Sequence, residues 1–151
     1  MSQSLSKVYI HATFSTKMRT PFLNAPGIRE EMQAYLAAVL HAHDCPAVLV
    51  GGTADHVHAL FMLSRSHAIS DVIRECKRVS SKWVKRKGRA FTQFEWQSGY
   101  GAFSVSHSNV ARVRAYIAGQ DEHHRKMDFQ EELRRLLRKH SIAFDERYLW
   151  D

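Results

Sequence analysis

Three features of the sequence predict an α+β fold with an antiparallel sheet: an alternating apolar run near the start, helix-period apolar stripes, and two β-rich runs joined through glycines. From Val8 to Phe14 the apolar residues fall at Val8, Ile10, Ala12 and Phe14, the period of two of a strand with one face buried. Asn24-Ala-Pro-Gly27 offers a helix start, and Ile28 to His43 carries Met32, Tyr35, Leu36, Val39 and Leu40 at helical spacing until Cys45-Pro46 ends it. Ala47 to Val50 and His56 to Leu63 are β-rich and separated by Gly51-Gly52-Thr-Ala-Asp55, which predicts a hairpin. Ile69, Val72, Ile73, Cys76, Val79 and Trp83 then form the stripe of a second helix. Phe94 to Val105, rich in aromatics and glycine, suits an irregular or bulged fourth strand. Asn109 to about Glu122 predicts a third helix along Val110, Val113 and Ile117. Phe129, Leu133, Leu136 and Leu137 mark a last one, whose other face is rich in arginine.

Strand, helix, strand, strand, helix, strand is the split β-α-β order called ferredoxin-like, with the helices expected on one face of the sheet and extra helices at the C-terminus. That order serves many functions and by itself names none. The 151 residues, 44% of them hydrophobic, suffice for one domain spanning 1–151 without staples. Two cysteines, Cys45 and Cys76, are too few for a disulfide framework or a cysteine metal cage and are expected reduced and buried. No apolar run is long enough to span a bilayer and residues 1–7 lead straight into the first strand, so a cytoplasmic protein without membrane partners is expected. Twenty-two Lys and Arg against 15 Asp and Glu favour a polyanionic partner, nucleic acid first, although a merely basic soluble protein has the same balance.

His56-Val57-His58 puts two imidazoles on one face of a strand, the spacing of a metal-binding pair, though a polar strand face has the same pattern. Tyr116 and Gln120 stand four apart on a helix, where side chains are neighbours; taken alone they are an ordinary surface contact. Together, two neutral nitrogens and an amide oxygen leave a divalent ion open positions for a phosphate oxygen and water, with a phenol beside it. Imidazole suits Mn²⁺ whereas Mg²⁺ prefers oxygen, and either is expected in use. Asp55 either orients a ligand histidine through its second nitrogen or forms the turn.

His56-Val-His58 and the later Tyr116-Ile-Ala-Gly-Gln120 resemble the paired motifs of the IS200/IS605-like single-tyrosine transposases, part of the HUH endonuclease group. The likeness extends to Val8 through Phe14 and to Trp96 through Phe103, in the same order along the chain. It implies a homodimer acting on single-stranded DNA with hairpin ends. By the same resemblance His56, His58 and Gln120 hold the metal, and Tyr116 attacks to leave a 5′-phosphotyrosine link and a free 3′-hydroxyl. No nucleotide cofactor is implied, in keeping with the absence of a G-x-x-x-x-G-K-[ST] loop. Where some members carry glycines before the tyrosine helix, this chain has Ser106-His107-Ser108, and Gly119 interrupts the helix between Tyr116 and Gln120.

Arg74, Lys77, Arg78, Lys82, Lys85 and Arg86 crowd the polar side of the second helix and are assigned to DNA phosphates over a plain solvated face. Arg134, Arg135, Arg138 and Lys139 form a second basic face. Of Trp96, Tyr100 and Phe103, at least two are expected in the core or a dimer contact and the remainder free to stack on bases. His107, His123 and His124 stay outside the catalytic set. Two other activities fit the same residues: a catalytically silent nucleic-acid-binding regulator, and a metal-dependent phosphodiesterase that uses water.

Overall fold

In the computed structural model, which describes residues 2–151, strands β1 (Tyr9–Ser15), β2 (Ala47–Gly52), β3 (His56–Met62) and β4 (Gly101–Val105) form a sheet in the order β2-β3-β1-β4. Every neighbouring pair is antiparallel, with Ala12 opposite Ala59 and Thr13 opposite His58. This is the split β-α-β order, because each helical crossover steps over one strand. The crossovers are α1 (Pro26–Ala42) and α2 (Ile69–Lys85); α3 (Val110–Ala118), α4 (Gln120–His123), α5 (Phe129–Lys139) and α6 (Glu146–Leu149) follow β4.

Ile10, Ala12 and Phe14 of β1 and Val57, Ala59 and Phe61 of β3 share one face, where they pack with Met32, Leu36 and Leu40 of α1 and Val72, Ile73, Cys76 and Val84 of α2. The other face of β1 and β3 carries His11, Thr13, Ser15, His56 and His58, and it too is buried. The C-terminal helices cover it, in keeping with the expected α+β arrangement of crossover helices on one face and extra C-terminal helices, but β1, read as a strand with one face buried, is buried on both. The alternation misleads because this second core is polar and each group has a partner. The Thr13 hydroxyl donates to the Val57 carbonyl at 2.8 Å, and the Ser15 amide donates to Gln97 Oε1 at 2.7 Å. Phe103, Phe129, Leu133 and Leu137 form the apolar cluster that anchors α5 to β4, each contributing about 1.5–3 kcal/mol by burial.

The fourth strand is shorter than expected, running only from Gly101 to Val105. Residues 94–100 are aromatic because they pack, not because they pleat. Phe94 and Trp96 enter the core, and Trp96 Nε1 donates to Ser80 Oγ at 2.9 Å. Lys77 ties this segment down by donating to the carbonyls of Gln97 and Gly99 at 2.8 and 2.6 Å. Phe103 is buried as well and Tyr100 is exposed, which leaves one of the three aromatic residues free. The third helix also ends early. It stops at Ala118, Gly119 takes φ −92° and ψ 19°, and α4 restarts at Gln120. Cys45 and Cys76 are free and buried as expected.

Two glycines let the hairpin approach its neighbours. A Cβ on Gly51 would lie 2.8 Å from the Ile117 side chain and 3.0 Å from its carbonyl oxygen, so β2 receives α3 only where a side chain is missing. Gly52 has φ +146° and a Cβ there would fall 2.2 Å from the His56 carbonyl oxygen. Gly51→Ala should therefore lower the unfolding free energy by about 1–3 kcal/mol, the cost of overpacking. Gly99→Ala, whose Cβ meets nothing within 4 Å, should stay within about 0.5 kcal/mol of the parent. Urea denaturation measures both, and matching midpoints for the two variants would contradict the seating of α3 on β2.

Candidate active site

Strand β3 projects His56 and His58 from the polar face, and the break at Gly119 delivers Gln120 to the same place. All three side chains are buried. Asp55 Oδ1 lies 2.7 Å from His56 Nδ1 and accepts its hydrogen bond, so in the neutral imidazole the lone pair falls on Nε2. Gln120 Nε2 donates to Glu132 Oε2 at 3.1 Å, and this turns Gln120 Oε1 toward His56 Nε2, also at 3.1 Å. In that tautomer two acceptors face each other, an arrangement that a cation would relieve.

His58 Nδ1 lies 2.8 Å from His11 Nε2 and His58 Nε2 lies 2.8 Å from Glu132 Oε1. Because His11 can either give or take the proton on Nδ1, His58 can donate to Glu132 or present a bare Nε2 while keeping its partner. Burial pushes the His11 imidazole down to about 3, and burial outweighs the adjacent Glu132 to hold His58 at about 4. Both are neutral at pH 7, the form that ligates metal.

Glu132 of α5 is buried at the centre of the cluster. Its Oε1 is 3.6 Å from His56 Nε2 and 3.1 Å from His124 Nε2. Its Oε2 accepts the Tyr116 hydroxyl and lies 3.4 Å from His123 Nε2. Burial alone would raise this carboxyl, but the His124 ring nitrogen beside it and hydrogen bonds from His58 and Tyr116 hold it well below the usual carboxylate range. The contact with His124 is short but poorly aligned, so by strict geometry His124 Nε2 is a buried nitrogen without a hydrogen bond. Burial and the Glu132 charge lift Tyr116 above the usual phenol range, so it is protonated here.

Donor atoms of His56, His58, His124 and Glu132 all lie within 4.8 Å of one another. Adjacent ligands of an octahedral ion bound at about 2.1 Å stand about 3 Å apart, close to the separations found here. The acceptor set of His56, His58, Gln120 and Glu132 and the unpartnered His124 nitrogen thus suit a divalent cation. Tyr116 reaches the cluster within one chain, its ring centroid 5.9 Å from that of His58.

The structure brings together His56, His58, Gln120, Tyr116 and Asp55. Sequence reasoning missed Glu132 and His11 and left His124 outside the catalytic set. Glu132 had a legible signal, a carboxylate inside the apolar stripe of Phe129, Leu133 and Leu136. The basic residues of α2 are not part of this cluster, since α2 packs on the other face of the sheet. Arg74 pairs with Asp71 at 2.6 Å, Arg78 pairs with Glu75 at 2.7 Å, and Lys77 holds the loop before β4. Lys82, Lys85 and Arg86 are exposed.

Since the unfolded chain protonates its histidines near 6.5 while the fold holds His11 near 3 and His58 near 4, the unfolded state takes up protons first as pH falls. The stability of metal-free protein should drop by up to about 1.4 kcal/mol per pH unit for each imidazole between pH 6.5 and about 4. Urea titrations in chelator at stepped pH measure this, and constant stability across that window would contradict two buried neutral imidazoles.

Comparison with known proteins places the chain. The family model described as "Transposase IS200 like" matches residues 4–120, more than half of its length. No curated protein matches. Among solved structures, a candidate transposase from Deinococcus radiodurans R1 is 21% identical, with 80% of this chain and 98% of that one covered at a TM-score of 0.61. A REP-associated tyrosine transposase bound to a REP hairpin is 14% identical, with 80% and 70% covered at 0.52. Those likenesses speak for the fold, and the model match, which runs through both histidines, Tyr116 and Gln120, speaks for descent: the chain belongs to the IS200-like transposase family.

Proposed function

We propose that this transposase nicks and rejoins single-stranded DNA through a 5′-phosphotyrosine intermediate. In this reading Tyr116 is the nucleophile, and His56, His58 and Gln120, joined by Glu132 and His124, hold Mg²⁺ or Mn²⁺. The observation that carries it is the shared carboxylate: Glu132 touches the Tyr116 hydroxyl with one oxygen and His58 with the other. Nucleophile and candidate metal donors thus meet in one buried cluster.

Tyr116 oxygen bonds to phosphorus as the bond from phosphorus to the 3′ oxygen breaks. The phenol proton is directed at Glu132 Oε2, and the departing 3′ oxygen takes up a proton to become a hydroxyl. The phosphate stays on Tyr116, so the ester is kept, and a second 3′-hydroxyl can reverse the step without ATP. A cation held there would polarise the phosphate and offset its developing charge. Asp55 holds the His56 tautomer, and Gln120 spans His56 and Glu132.

The hairpin in one structural neighbour supports hairpin-ended DNA as the substrate here. Two nucleophiles are needed to excise a segment and each chain supplies one, which supports a homodimer. No helix among the described residues is long and apolar enough to cross a membrane, in keeping with action on cytoplasmic DNA.

Incubated with Mn²⁺ and labelled single-stranded DNA from the ends of its own element, the protein should yield a denaturation-resistant adduct. Tyr116→Phe or chelator should remove that adduct entirely. Cleavage that survives Tyr116→Phe would make water the nucleophile, and binding with no cleavage would make the chain a silent regulator.

A further inference from the structure

We propose that the cleft between α3 and α5, beside Tyr116, receives one unstacked nucleotide of the single strand, next to the phosphate that Tyr116 attacks. The inference rests on the nicking reading and adds a subsite to it.

The cleft encloses about 390 Å³, within the ~300–1,000 Å³ typical of small-ligand pockets. One wall is flat and aromatic: Phe103 is buried in β4 and the His140 ring stacks on it, centroids 4.6 Å apart at 26°. Val113 of α3 and Leu136 of α5 add aliphatic surface. Arg112, Arg135 and Lys139 also line it and are exposed to solvent. Arg112 and Lys139 have no ion pair among the described residues, while Arg135 has only a 3.4 Å contact with Glu131. The same cleft is bordered by Tyr116 and Glu132.

An apolar aromatic wall beside three cations matches a base joined to a phosphate, and it matches little else that a DNA-cutting enzyme meets. A second, more open groove also borders Tyr116 and Arg135, so a strand can enter the cleft on one side of the tyrosine and leave on the other. Arg135, Leu136, Lys139 and His140 all follow residue 120, where the family match ends. The α5 side of the cleft therefore belongs to the C-terminal segment, whereas Phe103, Arg112 and Val113 lie within the matched region. It gives a use to part of the arginine-rich face of α5, whereas Arg134 is taken up by Glu146 at 2.6 Å.

The test is fluorescence anisotropy in chelator, so that no cutting intervenes. The probes are a short labelled single strand of mixed sequence and a matched strand of abasic sites. The whole protein should bind the base-bearing strand at least about tenfold tighter. Leu136→Asn should remove most of that preference. The Arg112→Ala, Lys139→Ala double variant, altered only at exposed positions, should weaken both strands alike and flatten the dependence on salt. Equal binding of the two strands, or a double variant that binds as the parent does, would overturn the subsite. A metal-dependent Tyr116 adduct alongside either result would leave nicking intact. Base-dependent binding lost in Leu136→Asn, with no adduct in Mn²⁺, would keep the subsite and remove the nicking.

Discussion

A carboxylate buried at the centre of the molecule constrains everything around it. Glu132 is almost wholly enclosed, and an ion taken out of water is tolerated only where its lone pairs are answered. His58, Tyr116 and Gln120 answer them, each from a different element: β3, α3 and α4. Removing one partner of such a buried charge costs about 3–5 kcal/mol, so the position of α5 and the position of the tyrosine are energetically one question. The apolar contacts of Phe129, Leu133 and Leu137 with β4 press the carboxylate into place. The bare backbone of Gly51 lets α3 come close enough for Tyr116 to meet it.

The sheet divides labour between its faces. One face is an ordinary apolar core with α1 and α2. The other is a polar core in which His11, Thr13, Ser15, His56 and His58 are buried but partnered. Such a face carries a chemical site at the expense of apolar burial, and the C-terminal helices restore part of that burial through the cluster around Phe103. The family match ends at Gln120, yet Glu132 and His124 lie beyond it. The cluster is thus built from both the shared framework and the segment that follows.

Much of this was legible in the sequence. Helices α1 and α2 show clean apolar stripes and the β2–β3 hairpin shows its glycines, so their limits agree to within a few residues. His56, His58, Tyr116 and Gln120 were readable because two short motifs place their chemistry at fixed spacing. The second buried face was not, since a partnered polar core has the alternation of a solvent-exposed one. Residues 94–100 failed for a similar reason: Phe94 and Trp96 have strand-like composition but are held as a packed loop by Ser80 and Lys77. Glu132 stood out only as a carboxylate in an apolar stripe, because partners such as Gln120 and His58, 12 and 74 residues away, come together only in the fold.

In the proposed function these side chains form one metal centre in contact with the nucleophile. Crystals of the protein soaked in Mn²⁺ and measured at the manganese absorption edge would test it most directly. A single strong anomalous peak is expected in contact with His56 Nε2, His58 Nε2 and the oxygens of Gln120 and Glu132. A peak elsewhere with this cluster unchanged, or no peak at all in crystals that keep Glu132 hydrogen-bonded to His58, would contradict it.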